Sequence, residues 1–236
     1  MSAWKAADMY FDADTFSGVA RLFPLPNLVM YPHVMQPLHI YESRYREMLE
    51  DALATDRLIA MSLLEPGWET DYESRPPVAP YACLGKIVTH HKLDDGRYNL
   101  LLMGVGRLRI TEELPPLRSF RQAKVELLRE KFVDSAAPHV ESLQRELIEA
   151  LQQPMPCNCQ APEQLGEMFA EQLPLSMLTD LAAYALPLAM TFKQQLLAEY
   201  RIDVRAQLLL KHFERTAPKE LVALSGATFP PQFSVN

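Results

Sequence analysis

The run from Leu84 to Leu93, then Asp94-Asp95-Gly96, then Arg97 to Met103 constrains this chain more than any other stretch. An Asp-Gly pair between two β-prone runs supplies the positive φ angles of a tight turn, so these residues predict an antiparallel hairpin. A lone hairpin is marginal in water and needs further strands or a helix on its apolar face. The flanking sequence offers both. Gly104-Val105-Gly106 interrupts the second run and Arg107 to Glu113 resumes it with Leu108 and Ile110 alternating, which predicts a bulge or a barrel corner. Upstream, Val19 to Leu25 and Leu28 to Tyr31 predict short strands, which Pro24, Pro26 and Pro32 confine to strand ends or edges. Leu58 to Leu64 predicts a buried strand, and Gln122 to Arg129 one more. Between them Tyr45, Met48, Leu49, Ala52 and Leu53 form the stripe of an amphipathic helix, with Ser43 placed as its N-cap. Six or seven strands and one helix within roughly 115 residues imply a small closed or nearly closed barrel, because closure removes exposed edges.

After Pro138 the period changes to that of helices. One helix is predicted to about Gln153, and Pro154-Met155-Pro156 with Cys157 reads as a linker. Helical periodicity returns at Glu163, and Leu178, Leu181, Ala182, Ala185 and Leu186 form a stripe ended by Pro187. Thr191 to Gln194 has the form of a capping box, Asp203 is placed as the cap of the last helix, and Pro218 ends it. The expected fold class is therefore α+β, a β-barrel with one inserted helix over residues 1–134 followed by an α-helical bundle over 135–217. Residues 218–236, with Pro230-Pro231 and little period, are expected to be extended or disordered.

Charge and motif content exclude several functions. The net charge of −7 is spread as −3 up to Asp134 and −4 beyond it, so neither half has the basic surplus of a nucleic-acid binder. Residues 97 to 131 are locally basic, with eight Lys or Arg against four Asp or Glu, and Arg97, Arg107, Arg109, Arg118, Arg121 and Lys124 would form the phosphate-tracking face of an RNA site. Asp8, Asp12 and Asp14 near the start do not suit a signal or transit peptide, and Leu181 to Met190 is too short for a bilayer span. The expectation is a soluble cytoplasmic protein that does not associate with membranes. Three cysteines do not make a disulfide framework, and Cys157-Asn158-Cys159 lacks the second pair of a zinc site, so no metal and no cofactor are expected. The only Gly-Lys, Gly85-Lys86, lies in a strand and not in a phosphate loop, and Gly104-Val105-Gly106 lacks the third glycine and the helix of a dinucleotide site. His90-His91 point to opposite strand faces, one inward and one outward. Nothing in the spacing of His33 and His39 favours a dispersed catalytic site.

Two apolar clusters fall on irregular chain. Trp68, Tyr72 and Tyr81, in or beside the proline-rich stretch from Glu65 to Pro80, form either a binding platform or a lid over the barrel. Tyr31, Met35 and Tyr41, around Pro32 and Pro37, form either a core patch or a second binding surface.

Three blocks in register resemble the amino-terminal substrate-binding domain of Lon proteases. The first is Phe23-Pro24-Leu25-Pro26-Asn27-Leu28-Val29-Met30-Tyr31-Pro32-His33, with Gln36-Pro37-Leu38 and a helix after it. The second is Leu84-Gly85-Lys86-Ile87 through Leu93-Asp94-Asp95-Gly96 to Gly104–Ile110 with Gly106-Arg107, where Asp94 stands in place of the usual proline. The third is Asp180 to Leu188 and Lys193 to Glu199, reaching Arg205. The resemblance implies a PUA-like β-barrel and a helical bundle, and a protein that binds unfolded or extended polypeptide. It would act as substrate recogniser, adaptor or regulator, with a protease or chaperone as a partner. The ATPase and Ser-Lys protease modules that follow this domain in Lon have no counterpart in the sequence, and their catalytic residues match no position, so no catalytic residue and a stand-alone non-enzyme are expected. Tyr31, Met35, Trp68 and Tyr72 are the candidate peptide-binding residues, and an RNA-binding PUA-like module is the alternative.

Overall fold

The structure, a computed structural model, describes residues 11–70, 72, 74–131, 138–152, 173–216 and 234–235. The chain divides into two compact units, the first running to Leu128 and taking in the last few residues, the second beginning at Arg129. The expected linker at Pro154 to Pro156, the helical signal at Glu163 and the Cys157–Cys159 pair lie outside the described residues.

In the first unit β1 (Val19–Leu25), β2 (Met35–Ile40), α1 (Ser43–Leu53), β3 (Leu58–Leu64), β4 (Val78–Lys92), β5 (Tyr98–Glu113) and β6 (Arg121–Leu128) follow one another, and β7 (Ser234–Val235) completes a seven-stranded sheet. Its order is β4-β3-β1-β6-β5-β2-β7, and β4 also pairs with β5. Five strands thus close a circuit while β2 and β7 extend β5 outside it, so the sheet is not a plain barrel. The pairing of β1 with β3 is parallel, which the intervening β2 and α1 make possible. Alternate residues of the five circuit strands, Ala20, Leu22, Leu58, Ala60, Ala82, Leu84, Leu108, Ala123 and Val125, make one buried cluster. Four of these nine are alanine because a ring of so few strands leaves little room inside. α1 packs on the sheet through Tyr45, Met48, Leu49 and Ala52, and the Tyr45 ring meets Phe23 edge to face at 4.5 Å.

The hairpin forms as expected, with Gly96 at φ +82° in its turn. β5 runs unbroken through Gly104 and Gly106, but opposite β4 the register slips between Leu84 and Gly85, which is the expected bulge. The reason for glycine lies across the sheet. A Cβ on Gly104 would stand 2.0 Å from the Tyr31 carbonyl oxygen. The backbone of 31–34 docks there, with His33 N–H donating to the Gly104 carbonyl and Gly104 N–H to the Val34 carbonyl, each at 2.9 Å. His33 takes φ +66° in this turn. This docking explains why residues 28–31 are not the expected strand: Val29, Met30 and Tyr31 are buried as core, and the strand begins four residues later.

Three caps differ from expectation. Ser43 is the first helical residue and Glu42 the N-cap, with no side-chain cap bond. The helix at Thr191 starts at Met190 with Ala189 as its cap, so the capping box is not formed. Asp203 lies one residue inside its helix, held by Arg201 at 2.7 Å, and that guanidinium keeps its carboxyl below the usual range. His90 and His91 are both exposed, because the hairpin tip extends past the core that would bury one face. Of the expected tail, only Ser234–Val235 is described, and it pairs in parallel with Leu38 and His39 of β2.

The second unit contains α2 (Pro138–Gln152), α3 (Leu175–Ala185), α4 (Met190–Ala198) and α5 (Ile202–Thr216). Arg205 of α5 is fully buried among them, 2.8 Å from Glu130 and 3.6 Å from Asp180, and donates to Thr179 and to the Glu199 carbonyl. Lys193 Nζ donates to the Tyr184 carbonyl at 2.7 Å, and burial pushes its pKa down to about 8. Burial pushes the Tyr184 phenol up, so it stays neutral where Lys193 titrates.

Two predictions follow from this packing. Gly104→Ala should cost about 3 kcal/mol or more, since backbone must move, whereas Gly67→Ala, at φ +94° with open space around it, should cost about 1 kcal/mol. Urea denaturation of both variants compares them. For Lys193, both states are protonated below pH 8, and between about 8 and the ordinary 10.5 the unfolded chain holds more protons, so stability should rise with pH across that window. The rise should approach 2–3 kcal/mol and vanish in Lys193→Met, measured as the difference between the two denaturation curves at pH 7.5 and 10.

Candidate functional site

Two connections of the first unit meet beside the N-terminus of α1. The long one between β3 and β4 carries Tyr72, Ser74, Arg75 and Pro76, and the one between β5 and β6 carries Pro116, Arg118, Ser119 and Phe120. With Pro24, Arg44, Tyr45, Leu64 and Arg121 they line a cavity of about 340 Å³. That volume lies at the lower end of ligand pockets, enough for a side chain and its flanking backbone.

Prolines prevent the long connection from continuing either strand, so it folds back on α1. Tyr72 is the contact. Its hydroxyl donates to Glu42 Oε1 at 2.7 Å, and the Arg44 guanidinium lies over both its ring and that of Tyr45, each centroid 4.8 Å away. Glu42 also accepts from Arg44 Nε at 2.8 Å. This carboxylate therefore holds both a cation and a phenol rather than capping the helix. Burial, then the bond to Glu42, raises the Tyr72 pKa, and burial raises that of Tyr45. Trp68, in a single helical turn at Trp68–Thr70, meets the Tyr72 ring edge to face at 5.6 Å.

The opposite wall is held by Arg121, which pairs with Glu113 and donates to the Pro76 carbonyl at 2.8 Å. Arg75 donates to the Leu114 carbonyl at 3.1 Å. Arg118 is 3.7 Å from Asp51. Ser119 donates to Glu47 at 2.6 Å.

The four residues expected to hold polypeptide are not one surface. Tyr72 lines the cavity and Trp68 packs against it, both half-buried, so this cluster is folded back and still borders open space. Met35 is exposed at the start of β2, outside the cavity. Tyr31 is fully buried under Gly104 and is core, which corrects its placement at a binding surface. His33 occupies the turn on β5, and His39 Nδ1 lies 2.7 Å from Asn99 Oδ1. Among the described residues no group of three or more His, Cys, Asp or Glu could hold a metal ion, and no helix is long and apolar enough to cross a membrane. Sequence reasoning singled out Arg118 and Arg121 only as part of a basic run and missed Arg44 and Arg75, because the four come from three separate stretches of chain whose spacing carries no common signal.

The basic run of the RNA reading is largely committed to carboxylates. Arg97 pairs with Asp95 at 2.5 Å, Arg109 with Glu126 at 2.6 Å, Lys124 with Glu112 at 2.7 Å, and Arg107 is buried.

Residues 19–215 match the family model described as the ATP-dependent protease La (LON) substrate-binding domain. The chain is 27% identical over 209 residues to a Lon protease of Dictyoglomus thermophilum, which covers 88% of this chain and 25% of that protein. It is 26% identical over 204 residues to a Lon protease of Rhizobium meliloti, covering 85% and 24%. The chain thus spans about a quarter of the length of these curated relatives. Its fold is similar to that of a Lon N-terminal domain protein from Xanthomonas campestris, with a TM-score of 0.61 at 21% identity over 82% of this chain and 97% of the other. It is likewise similar to the N-terminal domain of the Mycobacterium avium complex Lon protease, with a TM-score of 0.62 at 15% identity over 84% and 99%.

The Glu42 arrangement predicts that Glu42→Gln lowers the Tyr72 pKa toward that of an ordinary tyrosine, because the bond and the charge that favour the neutral phenol are both weakened. A pH titration of ¹³Cζ-tyrosine NMR signals, with the Tyr72 resonance assigned by Tyr72→Phe, measures this.

Proposed function

The chain belongs to the family of LON substrate-binding domains, and from that premise we propose that it holds unfolded or extended polypeptide at the cavity beside α1 and performs no chemistry of its own. It serves as a substrate recogniser, adaptor or regulator in the cytoplasm, with a protease or chaperone as the partner that receives what it holds. The observation that carries this reading is the cavity itself: three aromatic rings, Tyr45, Tyr72 and Phe120, and three prolines line a space of side-chain size within the family-matched residues. Aromatic and proline walls accept many side chains without demanding one, which suits a protein that must hold diverse sequences. We read the five-strand circuit as PUA-like, a frame that leaves the connections between strands to form the site.

The RNA alternative is disfavoured by charge. A phosphate-tracking face needs uncommitted cations, and Arg97, Arg109 and Lys124 each face a carboxylate within 2.7 Å.

Trp68→Ala with Tyr72→Ala should weaken binding of a fluorescently labelled, chemically unfolded polypeptide by about tenfold, roughly one stacked aromatic contact. Arg109→Ala should leave it unchanged. Affinity should fall by less than about one decade for a tenfold rise in salt, unlike the steep loss expected of an RNA complex with several phosphate contacts. Fluorescence anisotropy at low and moderate salt reads both, with thermal denaturation as the folding control. Purified protein that hydrolyses ATP or cleaves the polypeptide would contradict the non-enzymatic reading.

A further inference from the structure

Among the described residues, four guanidiniums and no carboxylate line the cavity beside α1. Their commitments differ. Arg44 is held by Glu42 at 2.8 Å and lies over the rings of Tyr45 and Tyr72. Arg121 is held by Glu113 and by the Pro76 carbonyl. Arg75 has a neutral carbonyl, that of Leu114, as its hydrogen-bond partner. Arg118 faces Asp51, but at 3.7 Å, and Asp51 is already bound by the buried Arg21 at 2.6 Å. Among the described residues, two of the four positive charges are thus balanced inside the wall, while Arg75 has a neutral partner and Arg118 only a carboxylate shared with Arg21. Arg118 is half exposed, so its side chain can turn toward a ligand without leaving a buried charge unpaired.

From this we propose that the cavity is a carboxylate-binding site, taking an acidic side chain or the C-terminal carboxylate of a bound polypeptide on Arg75 and Arg118. The inference rests on the polypeptide reading above and adds to it the chemistry of the preferred ligand. Guanidinium forks match a carboxylate with two parallel N–H···O bonds, and such charge-assisted pairs are the strong polar contacts of recognition. Phosphate satisfies the same fork, but two available guanidiniums suit a single carboxylate better than a polyanion, and a chain of net charge −7 repels a nucleic acid at long range. Tyr72 and Phe120 would pack against the residue next to the acid, which places an aromatic or apolar neighbour beside it.

The test uses the full chain and labelled extended peptides of one apolar and aromatic framework. The first has Asp and Glu with a free C-terminus. The second has Asp and Glu with an amidated C-terminus, and the third has Asn and Gln, also amidated. A single-stranded RNA oligonucleotide is the fourth probe. The third peptide should bind about five- to tenfold more weakly than the first, the contribution of a partly exposed charge pair. The second then assigns the effect: affinity like the first places a side-chain carboxylate in the cavity, and affinity like the third places the C-terminus there. Arg75→Gln with Arg118→Gln should bind all three peptides at the weaker level, and Arg118→Gln alone, at a half-exposed position, should remove part of the preference without loss of stability. Trp68→Ala with Tyr72→Ala should weaken all three alike. Equal binding of the first and third peptides by the wild-type chain overturns the carboxylate site and leaves polypeptide binding standing. Binding of none of the peptides overturns both. Steeply salt-dependent binding of the RNA, lost in the double arginine variant, reassigns the site to phosphate and also overturns it.

Discussion

The close approach of residues 31–34 to Gly104 is the constraint on which the first unit depends. Two hydrogen bonds of 2.9 Å cross a gap that no Cβ could share, so the long strand β5 must present glycine at this point. The docked turn buries Tyr31, sets His33 at a positive φ and delivers Met35 to the edge of β5, where β2 then pairs in register. From the end of β2 the chain enters α1 directly, and the first turn of α1 is one wall of the cavity. A backbone contact outside the cavity lining thereby helps to fix where Arg44 and Tyr45 stand.

The other end of α1 is tied down by charge. Arg21 of β1, nearly buried, donates to Asp51, Thr55 and Asp56 and to the Leu58 carbonyl. Removing such a cation from water costs several kcal/mol, and it is tolerated because every direction of the guanidinium meets an acceptor. The same economy operates in the second unit at Arg205. It also shapes the cavity: Asp51 belongs first to Arg21, so Arg118 is left with only a distant share of it. Which arginines stay available to a ligand is decided by which carboxylates the framework has already used.

Short-range physics made much of this fold legible in advance. The Asp-Gly turn, the stripe of α1, the apolar run of β3 and the proline after α3 each carry their own conformational preference, and each element appears where its residues call for it. The three blocks of resemblance likewise sit on local patterns, and the family match spans them all. Errors arose where a local preference had two outlets. Residues 28–31 are as apolar as a strand, but they bury themselves on β5 instead of pairing. Thr191 and Gln194 could form a capping box, but the helix cap sits two residues earlier, at Ala189. Aromatic residues near Pro32 and in the long connection looked equivalent in sequence, yet Tyr31 is core and Tyr72 borders the cavity.

The amino-acid sequence by itself determined the hairpin, the helix periods, the acidic balance and the family, because these depend on neighbouring residues or on sums over the chain. Only the tertiary structure decided that Arg44, Arg75, Arg118 and Arg121 line one cavity, that two of them are neutralised, and that the basic run 97–131 is spent largely on Asp95, Glu112, Glu113 and Glu126. The physical reason is distance. Coulombic and hydrogen-bond pairing act over a few ångströms in space, and residues such as Arg21 and Asp51, thirty positions apart in the chain, become partners only when the sheet has closed.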